Sequence, residues 1–152
     1  MSTSTDLIEW NNRLMIGIPM IDTQHKRLVE LTNNLHFACR RGVENANLHF
    51  IGTAQEVADY MVYHFSSEQK LMTFFQYPEF PAHKKEHDIF VKDVLAQIKK
   101  FSSSKHLVPH RFVQYLKEWI LSHIAVTDKA LAKYILSVKD NEKLQRSFSA
   151  QG

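Results

Sequence analysis

Residues 57–87 read VADYMVYHFSSEQKLMTFFQYPEFPAHKKEH, and this stretch decides the fold. Val57, Tyr60, Met61, Leu71 and Phe75 fall on one stripe at about 100° per residue, the mark of a helix with one buried face. His64 and Glu68 sit on that same stripe, four residues apart. Tyr77-Pro78 and Phe80-Pro81 then break the chain, because proline cannot continue a helix but is accepted in the first turn of the next one. Beyond the break, His83 and His87 repeat the four-residue spacing. Side chains four apart share a helix face and lie about 6 Å apart along the axis. Each pair can therefore grip one site, and so short a connection makes the two helices antiparallel neighbours.

Working outward, the second helix spans about Ala46 to Phe75. The third runs from Pro81 to about Phe101 and dies in Ser102-Ser103-Ser104. Upstream, Asp22 is an N-cap candidate for a first helix that reaches about Arg41, where Gly42 is a natural stop. Downstream, Pro109 opens a fourth helix that carries to about Val138. Each shows one apolar stripe: Leu28, Val29, Leu35 and Cys39 on the first, Phe90, Val91, Val94 and Ile98 on the third, and Phe112, Leu116, Trp119, Ile120 and Tyr134 on the fourth. The expected fold is all-α, an up-down-up-down four-helix bundle over residues 22–138 in a single domain. An irregular arm precedes it over 1–21, where Gly17 and Pro19 break any helix, and a polar, frayed tail follows over 139–152.

Composition agrees. The chain has 152 residues, 44% apolar and 23% charged, with only four glycines and four prolines, a balance that favours long helices over a turn-rich sheet. The net charge is +3 and the basic residues are scattered, so nucleic acid is a poor partner. The N-terminus lacks the pattern of a signal peptide, and no apolar run is long enough to span a membrane. Cys39 is alone, which leaves no disulfide framework and no cysteine metal knuckle. A cytoplasmic location is the expectation. Nine histidines are the anomaly.

Five of those histidines lie on inner stripes with two carboxylates: His25 on the first helix, His64 and Glu68 on the second, His83 and His87 on the third, His123 with Asp128 on the fourth. Counting about 1.5 Å of rise per residue along alternating helices, all seven land within roughly three turns of one end of the bundle. By the same count His36, His49, His106 and His110 fall near the other end, and they are expected to bind nothing specific. A lone buried histidine is usually a hydrogen-bonded core residue. Five of them with two carboxylates at one level would leave buried charges unpaired, at several kcal/mol each, unless a cation joins them. Five imidazoles and two carboxylates without a thiolate exceed one tetrahedral zinc site and suit two octahedral first-row ions. The ferritin-like pattern, Glu-x-x-His on two helices, is absent.

With those residues in place, the chain resembles the hemerythrins, specifically stand-alone bacteriohemerythrins. The likeness runs from Trp10 through Gly17-Ile18-Pro19 and Ile21-Asp22-Thr23-Gln24-His25, His64-Phe65 with Glu68 and Met72, Tyr77-Pro78 with His83 and His87, to Trp119-Ile120-Leu121-Ser122-His123-Ile124 with Asp128. Gln69 stands where relatives often place a second acidic residue. The resemblance implies two non-haem iron ions. His83, His87 and His123 would hold one, and His25 and His64 the other. Glu68, Asp128 and an oxo or hydroxo group would bridge them. It implies reversible dioxygen binding at the iron with fewer histidines, for storage, transport or delivery to an oxygen-consuming enzyme, rather than catalysis. Leu28, Tyr60, Trp119 and Ile120 supply an apolar lining one turn from the ligands. Oxygen or redox sensing, and a di-iron peroxidase or nitric oxide-related activity, are the alternatives that the same ligands would serve. Small anions such as azide are expected on the oxidised form, since two ferric ions exceed the bridging charges by about two.

One spacing does not fit a regular helix. His123 and Asp128 stand five positions apart, a rotation of about 140° off the shared face. A single π-type turn, with its wider i→i+5 spacing, would restore both to one side. The pair His64 and Glu68 needs no such device.

Overall fold

The computed structural model describes residues 6–40, 46–103 and 109–150. Helices α1 (Pro19–Arg40), α2 (Ala46–Phe74), α3 (Phe80–Ser103), α4 (Pro109–Ser122) and α5 (Lys129–Ala150) account for most of them, and no strand occurs among the described residues. α4, a six-residue π-turn (His123–Asp128) and α5 follow one another without a break. Together they form the fourth member of an up-down-up-down bundle in which α1 packs on α2 and α4, and α2 packs on α3. None of these helices is long and apolar enough to cross a membrane.

The first helix begins earlier than its cap candidate suggests. Pro19 takes the first position, where a missing N–H costs nothing, and the Asp22 N–H already reaches back to the Ile18 carbonyl. Asp22 is thus inside the first turn. Its buried carboxylate folds back onto the arm, accepting from the Ile16 N–H at 2.7 Å and the Gly17 N–H at 3.1 Å. Gly17 sits at φ +92°, a left-handed conformation that glycine tolerates and other residues resist. The arm is irregular apart from one 3-10 turn at Asn12–Leu14, but it is not loose. Ile8, Leu14, Ile16 and Ile18 are buried, and the Asn33 side chain pairs with both backbone groups of Ile8 at 2.9 Å.

The turn between α2 and α3 is closed by its own backbone. Gln76 takes φ +52°, and the Tyr77 N–H returns to the Met72 carbonyl, an arrangement that satisfies carbonyls left open at a helix end. The Tyr134 hydroxyl donates to the carbonyls of Phe75 and Gln76 from across the bundle. α3 starts at Phe80, so Pro81 occupies its second rather than its first position.

The fourth helix overturns the expected end at Val138: α5 runs on to Ala150 through the segment expected to be a frayed tail. That segment, KDNEKLQR, lacks a burying face yet contains no glycine or proline. Helix extension from a formed end is far easier than nucleation, so it propagates. The expected stop at Gly42 lies outside the described residues, as does His106.

Candidate metal centre

Four helices deliver the seven side chains to one end of the bundle, and all seven are buried. α1 brings His25 and α2 brings His64 with Glu68. The first two turns of α3 bring His83 and His87, and the π-turn brings His123 and Asp128. The wide turn is where the spacing requires it: the Lys129 N–H bonds to the Ile124 carbonyl, five residues back. His123 and Asp128 consequently meet, with Nε2 to Oδ1 at 3.0 Å.

The ligand-type atoms divide into two overlapping groups, each within 4.8 Å of one another. Glu68, His83, His87, His123 and Asp128 form one, and His25, His64, Glu68 and Asp128 form the other. Both carboxylates belong to both groups, and their oxygens divide the work. Glu68 Oε1 faces His64 Nε2 at 3.0 Å and His25 Nε2 at 3.6 Å, whereas Oε2 faces His87 at 3.0 Å and His83 at 3.2 Å. Asp128 Oδ2 faces His25 at 2.9 Å, whereas Oδ1 faces His123 at 3.0 Å and His83 at 3.2 Å. All five histidines turn Nε2 inward.

Short as these distances are, several do not align as hydrogen bonds. His25 Nε2, Glu68 Oε1 and both oxygens of Asp128 are buried without a hydrogen-bond partner. His87 and His123 point Nε2 at each other across 3.0 Å, a contact in which two lone pairs would repel without a proton or cation between them. The electrostatics ask for positive charge. Burial drags the His25 and His123 imidazoles down, but Asp128 and Glu68 beside them outweigh it and carry them up to about 9 and about 10. His83 rises for the same reasons, while burial pulls His87 down. Burial lifts the carboxyls of Glu68 and Asp128, and the surrounding imidazoles reverse it, holding both below the usual carboxylate range. Orphaned ligand-type atoms and two ionised carboxylates buried side by side fit cations bound at the centre of this set, in place of the protons the imidazoles otherwise hold.

Leu28, Phe65, Trp119, Ile120 and Ile124 pack around His25, His64, His123 and Asp128 and close an apolar niche too tight for a water molecule. Leu28, Trp119 and Ile120 belong to the expected lining. Tyr60 is half-buried and not part of it, whereas Phe65 and Ile124 are. Two aromatic rings brace the histidines: Phe65 stacks on His87 at 3.8 Å and Trp119 on His123 at 4.3 Å. Of the remaining histidines, His49 and His110 are exposed and His36 is half-buried beside Phe37, and none joins either group.

Two residues that touch the outer edges of the histidines have no role in the sequence analysis, which names Gln24 only within a motif and Glu86 not at all. Gln24 Oε1 accepts from His64 Nδ1 at 2.7 Å, and its amide nitrogen donates to Ser67. Glu86 Oε2 accepts from His123 Nδ1 at 2.9 Å. Each immediately precedes a histidine of the cluster, His25 and His87, the one signal that could have drawn notice.

Comparison with known proteins identifies the family. The hemerythrin HHE cation-binding domain matches residues 16–135. A bacteriohemerythrin of Stenotrophomonas maltophilia (strain R551-3) is 33% identical over 129 residues, covering 85% of this chain and 82% of its own. Another from Pseudomonas aeruginosa (strain LESB58) is 35% identical over 130 residues, covering 86% and 80%. A crystal structure of wild-type hemerythrin superposes with a TM-score of 0.78 at 28% identity, covering 85% of this chain and 98% of that one. A domain match over most of the chain, relatives this similar along their length and the shared helical bundle place the protein in one family: the chain belongs to the hemerythrins.

Proposed function

We propose that this chain binds dioxygen reversibly at a pair of non-haem iron ions. The observation that carries the reading is the division of the two carboxylates, one oxygen of each facing the three-histidine group and the other facing the two-histidine group. His83, His87 and His123 would hold one iron, His25 and His64 the other, with Glu68 and Asp128 shared. The iron pair would supply a reducible centre with an open position on the two-histidine side.

The protein's own contribution is placement and exclusion. That tight niche borders both histidines of the smaller group but only His123 of the larger, so the apolar walls lie on the side where a ligand would enter. Leu28, Phe65, Ile120 and Ile124 offer no acid or base there, which suits binding and release better than bond-breaking. Gln24 and Glu86 hold His64 and His123 with Nδ1 protonated, leaving Nε2 free as a donor. Storage, transport or delivery to an oxygen-consuming enzyme all draw on this property.

The test is iron analysis joined to visible spectra under argon, air and argon again. Two irons per chain and a spectrum that appears in air and reverses under argon are expected. Rapid irreversible oxidation with turnover of peroxide or nitric oxide would favour an enzyme instead. In the oxidised form, azide should perturb the spectrum by binding at the open position. Insensitivity to every small anion would mean that the position is blocked.

A further inference from the structure

Resting on the di-iron reading, we propose that Glu86 is a positioning residue for the centre. It locks His123 in place, strengthens that histidine as a donor through its negative charge, and ties it to the wide turn that delivers Asp128.

One oxygen does this work. Glu86 Oε2 accepts from His123 Nδ1 at 2.9 Å and from Thr127 Oγ1 at 2.9 Å. His123 opens the π-turn and Thr127 is its fifth residue, directly before Asp128. A carboxylate on α3 thus spans the turn on the neighbouring helix. It sits next to His87, so one segment of α3 supplies a cluster histidine and braces another. A carboxylate can only accept, which leaves His123 Nδ1 protonated and Nε2 directed at Asp128 and Glu68.

The charge is the second part. His64, in the smaller group, has a neutral amide behind it in Gln24, whereas His123, in the larger group, has a carboxylate. An ionised acceptor draws the Nδ1 proton more strongly than an amide and leaves the ring a better electron donor. His25 is unpartnered at Nδ1, as are His83 and His87. The two outer bonds therefore make the groups unequal beyond their histidine counts. The Glu86 side chain is 50% exposed while His123 is 3% exposed, so the charge reaches the buried ring from the rim of the bundle.

Three variants of the full chain separate these roles: Glu86→Gln keeps an acceptor and removes the charge, Glu86→Ala removes both, and Thr127→Val cuts only the tie to the turn. Two readouts are used. Zinc affinity is measured by competition with a chromophoric chelator, and the midpoint potential of the iron-loaded protein is followed by absorbance. Glu86→Ala should weaken zinc binding by about 10- to 100-fold, the usual size of such outer contacts. Thr127→Val should weaken it less. Glu86→Gln should hold zinc within a few-fold of the parent yet raise the midpoint potential, because a less electron-rich ligand favours the reduced iron. A purely structural brace would not move the potential in Glu86→Gln. An unchanged potential in that variant, or unchanged zinc affinity in Glu86→Ala, overturns the proposal. A parent chain that takes up neither zinc nor iron overturns the di-iron reading itself, and this proposal with it.

Discussion

α2 and the fourth helix each bring one histidine and one carboxylate to the same cluster, and they do it differently. On α2, His64 and Glu68 stand four apart in a regular helix and meet at 3.0 Å. On the fourth helix, His123 and Asp128 stand five apart and meet at 3.0 Å only because the backbone widens between them. A regular helix presents any i, i+4 pair on one face at no cost. The i, i+5 pair needs a local departure from α-geometry, and such departures collect at functional sites. The surplus residue of the wide turn faces outward: Val126 is 68% exposed.

The sharpest way to break this comparison is to remove one residue from each helix. Deleting Ser66, an exposed residue of α2, rotates everything after it by about 100° relative to His64, taking Glu68 and the buried Met72 off the core face. Iron uptake should be abolished and the melting temperature should fall furthest in this variant. Two irons per chain after reconstitution would show that the face of α2 does not set the site.

Asp128→Ala should have the next largest effect. It strips His25, His83 and His123 of a shared carboxylate and should leave one iron or none, measured by iron analysis. Its melting temperature should approach that of iron-free parent protein, because metal bound only to the folded chain adds about 2.7 kcal/mol at a hundred times its Kd. Retention of two irons with an unaltered spectrum would remove Asp128 from the proposed ligand set.

Deleting Val126 should be milder than deleting Ser66, although both remove one exposed residue. The carboxylate then follows His123 by four, the spacing already used on α2, and the wide turn can relax to regular helix. Iron should still bind, weakened by about tenfold as the contact of Thr127 with Glu86 is disturbed. Complete loss of iron would mean that the turn does more than align two side chains.

The smallest effect on the site belongs to the opposite end of the bundle. There Phe50, Phe101 and Phe112 pack edge to face with centroids 5.1–6.2 Å apart. Phe112→Leu should cost roughly 0.5–3 kcal/mol of stability while iron content and spectrum stay those of the parent. A changed spectrum would reveal coupling along the bundle.

The cluster was legible in the sequence because helical periodicity and rise are local and nearly invariant. His25, His64, His83, His87 and His123 could be placed on faces and levels by counting, and the five-residue gap to Asp128 called for the π-turn. The extent of the fourth helix was not legible. Residues 139–150 carry no apolar stripe and so give no periodic signal of a helix, although their helix-forming composition lets α5 continue to Ala150. The irregular arm held a second surprise: its isoleucines are core residues, held by Asp22 and Asn33.

By itself, then, the sequence determined the four amphipathic helices, the level of the seven polar residues and the need for one irregular turn, since each follows from spacing along a single chain segment. Tertiary structure alone decided which oxygen of Glu68 and Asp128 faces which histidines, and that Gln24 backs His64 and Glu86 backs His123. Those partners lie 40 and 37 residues apart. Whether they touch depends on how each helix is rotated and set against its neighbour, and that is fixed by the packing of the whole core rather than by any local rule.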